Sequence, residues 1–333
     1  MDTVPFTVIR ELCAAEGLDA LAVLAPVPER LPDAGIDAML ADGVGDMTWL
    51  AETRDLRLRP TAMLPGARAV LVVAMPYQAE AGDERLRRGR YAAGKDYHNL
   101  LRPKLGRVAA ALNQRCAMAW RHRATTDSAP IAERTLAQRA GLGWIGRNAL
   151  LIGGESGTYR LLGTLLTEAP LAARHGGQGE DRCGSCRACE VRCPTAAIRD
   201  RRVLSERCIS YLTIEHQGVV PRHLAERFEG WWFGCDLCQE VCPWNRFAQV
   251  PTDPRLHGDE RDADLLAVRA ETFDLHFAGR AIRRIGYVRF RRNLLIALWS
   301  LGHGDLCAPI LAEGLPLVLE QAQELGIAVR PTS

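Results

Sequence analysis

The chain has 333 residues, of which 47% are hydrophobic, and its 42 basic side chains nearly balance 40 acidic ones. Its longest uninterrupted apolar stretches, such as Ala69–Pro76 and residues 294–299, are far shorter than the roughly 18 residues that span a bilayer. The composition therefore predicts a soluble protein of two or three domains and excludes a membrane-spanning one.

The N-terminal half alternates predicted helices and strands. An amphipathic pattern predicts a helix over residues 7–16, and a short apolar run predicts a strand at Ala20–Leu24. Further strands are predicted at residues 69–75, 123–127, 149–152 and 159–166, and helices at 33–41, 46–51, 97–114 and 131–140. Glycines at 153–157 predict a hairpin turn. The pattern indicates a mixed α/β domain, and the glycine- and charge-rich stretch 174–181 places its end near residue 176.

Eight of the eleven cysteines follow, all between residues 183 and 242. Two runs each end in Cys-Pro, and the first has the C-x2-C-x2-C-x3-C-P spacing of bacterial iron–sulfur proteins, whose fourth cysteine ligates the other cluster. Cys208 supplies the cysteine that the second run lacks. The spacing therefore predicts two [4Fe–4S] clusters, one on Cys183, Cys186, Cys189 and Cys242, and the other on Cys193, Cys208, Cys235 and Cys238.

Zinc sites and a disulfide framework are the alternatives for these cysteines. Zinc sites favour two separated ligand pairs, and disulfides belong to small secreted chains. Residues 1–29 contain no secretory hydrophobic region, which predicts a cytoplasmic protein with reduced thiols. The three isolated cysteines are expected to be small buried hydrophobic residues: Cys13, Cys116 and Cys307.

The remaining residues, from 251 onward, have a helical pattern. Residues 275–304 contain six arginines and no acidic side chain, interleaved with an apolar helix face. In a nearly neutral chain this asymmetry indicates a surface for a polyanion, with a solvated cationic helix face as the alternative. The six are Arg280, Arg283, Arg284, Arg289, Arg291 and Arg292.

Two segments of the N-terminal half are rich in hydrogen-bonding groups. They are residues 90–98, just before a predicted helix, and residues 127–134, soon followed by the glycine-rich stretch 141–148. A small electron carrier does not need an α/β domain in front of its clusters. These segments therefore mark a predicted reaction centre at the end of the electron path.

At this level of detail the chain resembles the epoxyqueuosine reductase family over nearly its full length. The resemblance rests on residues 90–98, on Asp127-Ser128-Ala129-Pro130 with Glu133-Arg134, and on residues 140–148. It also includes both cysteine runs, residues 208–215, 242–245 and 281–286.

The resemblance implies three parts. These are an α/β cobalamin-binding domain of the reductive-dehalogenase type over residues 1–175, a ferredoxin-like two-cluster module over 176–250, and a short HEAT-like helical tRNA-binding region over 251–333. It implies the reduction of epoxyqueuosine to queuosine at the tRNA wobble position, with electrons passing through two [4Fe–4S] clusters to cobalamin. The implied partners are a tRNA with a GUN anticodon and an external low-potential electron donor, and the protein is expected to be a monomer.

The resemblance also implies roles for individual residues. Asp127 matches the family's proton donor, which would need a raised pKa to be protonated near neutral pH. The alternative for Asp127 is a helix cap ahead of Pro130. Cobalamin contacts are expected from Arg57, Tyr91, Arg147, Asn148, Ser156, Ser210, Asp236 and Leu237.

Contacts with tRNA are expected from Arg283, Arg284, Arg289, Arg291 and Arg292, since guanidinium groups bind phosphates and stack on unpaired bases. Family members commonly continue further at the C terminus. We therefore expect either a reduced tRNA surface or a compensating one elsewhere. Two other functions remain open from the residues: a cobalamin-dependent reductase of a small molecule, and a plain two-cluster electron carrier.

Overall fold

The computed structural model describes residues 3–18, 20–32, 35–77, 85–174, 179–251, 253–258 and 261–328. In the N-terminal part the helices are α1 (Phe6–Ala14), α2 (Ile36–Asp42), α3 (Trp49–Glu52), α4 (Arg54–Arg57), α5 (Pro60–Met63), α6 (His98–Cys116) and α7 (Glu133–Arg139). The strands are β1 (Ala20–Leu24), β2 (Ala69–Pro76), β3 (Arg87–Arg88), β4 (His122–Thr125), β5 (Trp144–Ile145), β6 (Leu151–Ile152) and β7 (Arg160–Thr167).

Four of these strands form the central sheet, in the order β1-β2-β7-β4 with antiparallel neighbours. Successive side chains of a strand point to opposite sides of the sheet. Since nearly all side chains of β2 are buried, both faces of the strand are covered. Leu71 and Val73 pack in one core with residues of α1 and α6, whereas Val70 and Val72 pack in another with residues of α5 and α7. The sheet thus lies between two layers of helices, and the predicted α/β domain is confirmed.

The predicted elements differ from the observed ones mainly at their ends. The strand predicted over 123–127 stops at Thr125, because Asp127 adopts a left-handed conformation with φ of +51°. The strand predicted over 149–152 is reduced to the two residues of β6. The hairpin turn is confirmed by the Gly157 N–H, which donates to the Gly153 carbonyl at 2.9 Å. Residue 33, where α2 was predicted to begin, lies outside the described residues.

The cysteine-rich segment contains short elements: α8 (Ala188–Arg192), β8 (Ile198–Arg199), β9 (Arg202–Val203), α9 (Ile209–Ile214), α10 (Arg222–Ala225), β10 (Trp231–Phe233) and α11 (Leu237–Glu240). Strand β10 pairs in parallel with β3 of the N-terminal part. This pairing brings the segment that carries Cys235 and Cys238 beside the polar segment that begins at Arg90. The predicted boundary at residue 176 lies outside the described residues and stays a prediction.

The C-terminal helices are α12 (Asp262–Ala267), α13 (Ala270–His276), α14 (Gly286–Ser300), α15 (Ala308–Leu311) and α16 (Pro316–Leu325), with a 3-10 turn at Ala281–Ile285. Phe290 and Leu294 of α14 share a core with Trp232 and Phe233 of β10. The helical end therefore packs directly on the cysteine-rich segment. Among the described residues, every helix is too short or too polar to cross a bilayer.

Candidate active site and thiol sets

Asp127 lies in the loop between β4 and α7. Its backbone N–H donates to Glu133 Oε2 at 2.9 Å, and its side chain is 65% exposed. Helix α7 begins at Glu133 with Ala132 as its N-cap residue, and no side chain caps it. Asp127 is therefore not a helix cap, and its left-handed backbone, which non-glycine residues rarely adopt, holds its carboxylate toward a different set of partners.

These partners are the side chains of Tyr97 and His98, at the start of α6. The Tyr97 hydroxyl donates to Asp127 Oδ2 at 2.6 Å, and His98 Nε2 lies 3.6 Å from the same oxygen. The other ring nitrogen of His98 lies 2.6 Å from Asp96 Oδ1. Since the Tyr97 and His98 rings stack with centroids 4.1 Å apart, the imidazole is fixed between two carboxylates.

The pKa values of Asp127 and His98 are shifted in opposite directions. The hydrogen bond from His98 lowers the pKa of Asp127, whereas a proton donor at neutral pH needs a raised pKa. Burial opposes the charged form of His98, but its hydrogen bonds to Asp127 and Asp96 outweigh burial and raise its pKa to about 9. At neutral pH the proton therefore resides on the imidazole, and Asp127 is a carboxylate.

Glu133 supplies a second protonated group. Burial raises the pKa of Glu133 to about 8, although its carboxylate accepts the Asp127 N–H. Arg57, a predicted cobalamin contact, lies close enough for its charge to interact with both Asp127 and Glu133. The motifs contained Glu133 and His98, but only the folded chain assigns them these protonation states.

Tyr91 connects this centre to the cysteine-rich segment. Its ring lies 6.1 Å from that of Tyr97 and 6.1 Å from that of Phe233 in β10. Next to it, Arg90 donates its backbone N–H to Asp236 Oδ2 at 2.7 Å. The predicted cobalamin residue Tyr91 is thus placed between Asp127 and the loop of Cys235.

Two other predicted cobalamin residues are enclosed by protein. Asp236 is 2% exposed, and its carboxylate accepts bonds from the Arg90 N–H and from Gln239 Nε2. Burial raises the pKa of Asp236 to about 6. Leu237 is 1% exposed and belongs to the core. The side chains of these two residues therefore face the protein interior, whereas Ser210 and Ser156 are only half-buried.

Arg147 and Asn148 lie beside the thiols. They line a cavity of about 210 Å³ together with the first thiol set, which comprises Cys183, Cys186, Cys189 and Cys242. Arg147 Nε and Asn148 Nδ2 are buried without a hydrogen-bond partner. These two donors are therefore available to an acceptor on a bound group.

The eight clustered cysteines separate into two groups in space. In the first thiol set, Cys242 interacts electrostatically with Cys183 and Cys186, and Cys189 with Cys183 and Cys242. In the second thiol set, comprising Cys193, Cys208, Cys235 and Cys238, the same interactions connect Cys208 with Cys193, and Cys235 and Cys238 with Cys208. Cys238 also interacts with Cys189, so the two sets are adjacent.

The state of the cysteines in the structure bears on the two alternatives to iron–sulfur clusters, a disulfide framework and zinc sites. The eight clustered cysteines all carry free thiols, which contradicts a disulfide framework. Within the described ranges, no three His, Cys, Asp or Glu side chains surround a point that could hold a single metal ion. Cys13 and Cys307 are fully buried, as expected, whereas Cys116 is only partly buried.

The predicted tRNA arginines fall into three classes. Arg291 and Arg292 are 0% exposed, so their prediction as phosphate ligands was wrong. Arg291 pairs with Glu313, and Arg292 donates to the carbonyls of Leu212, His216 and Gly218. The Leu212 carbonyl lies in the last turn of α9, where helix carbonyls lack intrahelical partners, and those of His216 and Gly218 lie in the segment that follows α9.

Arg289 is half-buried and donates to the carbonyls of Ile285 and Ile214 at 2.9 and 2.8 Å. Only Arg283 and Arg284 present exposed guanidinium groups, paired with Asp274 at 2.7 Å and with Glu215 at 2.9 Å. The charge of Arg284 also interacts with Asp96 and Asp127. Arg284 therefore borders the centre around Asp127.

Comparisons with known proteins agree with this arrangement. A family model described as "4Fe-4S double cluster binding domain" matches residues 182–245, and one described as "Epoxyqueuosine reductase QueG, DUF1730" matches residues 57–128. The epoxyqueuosine reductase of Escherichia coli (strain K12) is 41% identical over 269 residues, covering 76% of this chain and 70% of the relative. That of Pseudomonas aeruginosa is 39% identical over 282 residues, covering 80% and 76%.

Solved structures of such enzymes share the fold. An epoxyqueuosine reductase with an epoxyqueuosine-modified tRNA-Tyr stem loop matches with a TM-score of 0.81 at 25% identity, covering 96% of this chain and 90% of that one. The Bacillus subtilis enzyme, with its catalytic loop swung out of the active site, matches with a TM-score of 0.77 at 27% identity, covering 92% and 84%. Taken with the geometry around Asp127 and the two thiol sets, these matches establish that the chain belongs to the epoxyqueuosine reductase family.

Proposed function

We propose that the protein reduces epoxyqueuosine to queuosine at the wobble position of tRNA. The reaction takes two electrons and two protons, breaks both C–O bonds of the epoxide and releases the oxygen as water. The observation that carries the proposal is the exposed carboxylate of Asp127, held by Tyr97 and His98 and connected through Tyr91 to the loop of the second thiol set.

Electrons are proposed to enter at the first thiol set and leave from the second. Four thiolates are the ligands that each [4Fe–4S] cluster requires. Burial raises the pKa of Cys189 to about 11, so bound iron is needed to hold this group as a thiolate. The exposure of Cys186 supports entry of electrons from an external low-potential donor at the first set. Cys238 lies next to Asp236 on the way to Tyr91.

Cobalamin is proposed to bind between the second thiol set and Asp127. Bound there, it would supply a strongly reducing metal centre for the epoxide. The side chains of Arg57, Tyr91, Ser156 and Ser210 would hold it beside the segment of Asp236 and Leu237. Arg147 and Asn148 would reach it from the cavity next to the first thiol set. The unpaired donors of Arg147 and Asn148 suit the carboxamide oxygens of a corrin periphery.

Asp127 is proposed to deliver a proton to the leaving oxygen, with His98 as its source. An exposed carboxylate loses water when a substrate covers it, and loss of water raises its pKa. The imidazolium of His98, 3.6 Å away, can then transfer its proton to Asp127. Tyr97 keeps the carboxylate in place through its 2.6 Å hydrogen bond.

The family also supplies the finer expectations. We propose a tRNA with a GUN anticodon as the partner, a monomeric protein in the cytoplasm, and HEAT-like packing of the C-terminal helices. The exposed Arg283 and Arg284 support a tRNA surface at that end of the molecule.

The proposed activity is tested with iron-reconstituted protein, cobalamin, a strong reductant and tRNA from cells that lack the activity. We expect mass analysis of the nucleosides to show the loss of one oxygen atom from the modified base. An unchanged base in the presence of a bound corrin spectrum would favour a small-molecule reductase instead.

Replacing Asp127 tests its role within this assay. We expect Asp127→Asn to retain iron and the corrin spectrum but to lose turnover by roughly 100- to 10,000-fold, the usual range for general acid catalysis. Asp200→Asn is the matched control, because Asp200 is also an exposed aspartate with a left-handed backbone, at φ of +50°. Equal activity of the two variants would remove Asp127 from the chemistry.

A further inference from the structure

A second cavity lies where the loop that leads to His98 meets the C-terminal segment. It has a volume of about 500 Å³ and is open to the surface. This junction cleft is lined by Ala93, Gly94, Lys95, His257, Gly258, Ala278, Gly279 and Arg280.

Main-chain contacts build the junction cleft. The Lys95 N–H donates to the Arg255 carbonyl at 2.7 Å, and the Asp96 N–H donates to the Gly279 carbonyl at 2.7 Å. The backbones approach so closely that a Cβ at Gly94 would lie 2.1 Å from the Arg255 oxygen. Much of the cleft wall is therefore glycine and alanine backbone, and small side chains leave the cleft open. The main-chain hydrogen bonds fix the position of these walls.

The polar side chains of the junction cleft are all basic. Lys95 and His257 are exposed, and Arg280 is held at the wall by its bond to the Ala93 carbonyl. No acidic side chain of the described residues lines the junction cleft, and Asp259 and Glu260, which follow Gly258, lie outside those residues. The next turn of the chain carries the exposed Arg283 and Arg284. Basic side chains thus extend from the cleft to Arg283 and Arg284, which pair with Asp274 and Glu215.

We propose that the junction cleft binds a backbone phosphate of the tRNA anticodon loop, close to the nucleotide that reaches Asp127. Lys95 immediately precedes Asp96, which contacts His98, so a phosphate at Lys95 is anchored beside the reacting centre. Phosphate contacts fix the register of a nucleic acid on a protein. The cleft also supplies a cationic surface in place of the buried Arg291 and Arg292. This inference rests on the proposed function.

The test measures the affinity of the holoenzyme for an anticodon stem loop at several salt concentrations. We expect Lys95→Ala to weaken binding several-fold and to reduce the slope of log K against log salt by about 0.7, the value for one lost contact with a single strand. Lys95→Arg should retain both. His257→Ala should weaken binding less, and Arg115→Ala, an exposed arginine outside the cleft, should leave binding unchanged.

Stem loops with one neutral methylphosphonate linkage at a time then locate the contact. Lys95→Ala should weaken the binding of every RNA except the one whose neutral linkage normally occupies the junction cleft. Equal weakening for all of them, or no weakening at all, would overturn the proposal. So would loss of inorganic phosphate binding by the variant with unchanged RNA affinity, because the cleft would then hold a free phosphate.

The binding measurement also separates this inference from the proposed function. At saturating RNA, Lys95→Ala should still turn over, since the catalytic groups are intact. A wild-type protein that binds the stem loop through Lys95 but leaves the modified base unchanged would contradict the proposed function alone.

Discussion

Proton affinity around Asp127 is set by individual side chains. His98 and Glu133 both bind protons more tightly in the folded chain than in the unfolded one, because His98 gains two carboxylate partners and Glu133 loses water. Asp127 shifts in the opposite direction, since His98 stabilises its charged form. The site therefore stores its proton on groups adjacent to the carboxylate that is proposed to deliver it.

The pKa of Glu133 predicts how stability depends on pH. It rises from 4.5 to about 8 on folding, so the stability contributed by the neutral form is fully present below pH 4.5 and is lost as the pH rises through 8. We expect Glu133→Gln to gain roughly 3–4 kcal/mol over the wild type between pH 5 and 8. Urea unfolding at a series of pH values measures this difference. A constant difference across that window would show that Glu133 is charged in the folded protein.

The pKa of His98 predicts a second pH range over which stability changes. Its pKa rises from 6.5 to about 9, so its stabilising contribution is complete below pH 6.5 and disappears as the pH passes through 9. In His98→Gln the loss of stability between pH 6.5 and 9 should be smaller than in the wild type. Turnover by the wild type should also decline above about pH 9 as the imidazolium loses its proton. An unchanged alkaline limb in His98→Gln would contradict both expectations.

Arg291 shows how burial changes the role of an arginine. Because it is 0% exposed and paired with Glu313, we expect Arg291→Leu to lose about 3–5 kcal/mol of unfolding free energy, as when one partner of a buried pair is removed. Arg283→Leu, at an exposed position, should change stability by less than about 0.5 kcal/mol. Denaturant titration measures both. A stable Arg291→Leu protein with weakened tRNA binding would restore the original prediction.

Among the elements, the loop before α6 is the one that joins the parts of the molecule. Its residues 93–96 are bonded to the C-terminal segment, and its side chains Tyr97 and His98 hold Asp127. Helix α14 is joined to the cysteine-rich segment in a similar way, because Arg289 and Arg292 donate to carbonyls at the end of α9. The positions of the catalytic side chains therefore depend on helices far away in sequence.

Gly94 tests this dependence. Its Cβ would lie 2.1 Å from the Arg255 oxygen, so Gly94→Ala must displace the loop. We expect a melting temperature lower by several degrees and a marked loss of turnover. Gly106→Ala is the matched control, since Gly106 lies within α6 with nothing within 4 Å, and it should stabilise the protein by about 0.5–1 kcal/mol. Normal turnover in Gly94→Ala would show that the junction does not position His98.

Across the whole molecule, the C-terminal helices and the α/β domain meet at one centre. Arg284 belongs to the helical end, pairs with Glu215 of the cysteine-rich segment, and interacts electrostatically with Asp96 and Asp127 of the α/β domain. The three parts are thus electrostatically coupled around the proposed site. A tRNA bound to the helical end would have its wobble base near the same centre.

Adjacent arginines distinguish this coupling from general phosphate binding. Arg284→Ala should lower kcat as well as tRNA affinity, because it removes a positive charge next to Asp127. Arg283→Ala should weaken only the affinity, since Arg283 pairs with Asp274 at the surface. Steady-state kinetics over a range of tRNA concentrations separate the two effects. Equal kcat values for the two variants would confine Arg284 to binding, and indifference of both parameters to both changes would favour a small-molecule substrate.

The local patterns of the sequence predicted the α/β elements, the eight clustered cysteines and the segments that carry Asp127, because spacing along the chain is sufficient for each. The burial of Arg291 and Arg292, the charge on His98 and the junction cleft were decided only by the tertiary structure. Each depends on groups about 20 to 190 residues apart, such as Arg291 with Glu313 and Arg280 with Ala93. Burial and electrostatics act through space, so a hydrophobic or charged pattern along the chain does not specify them.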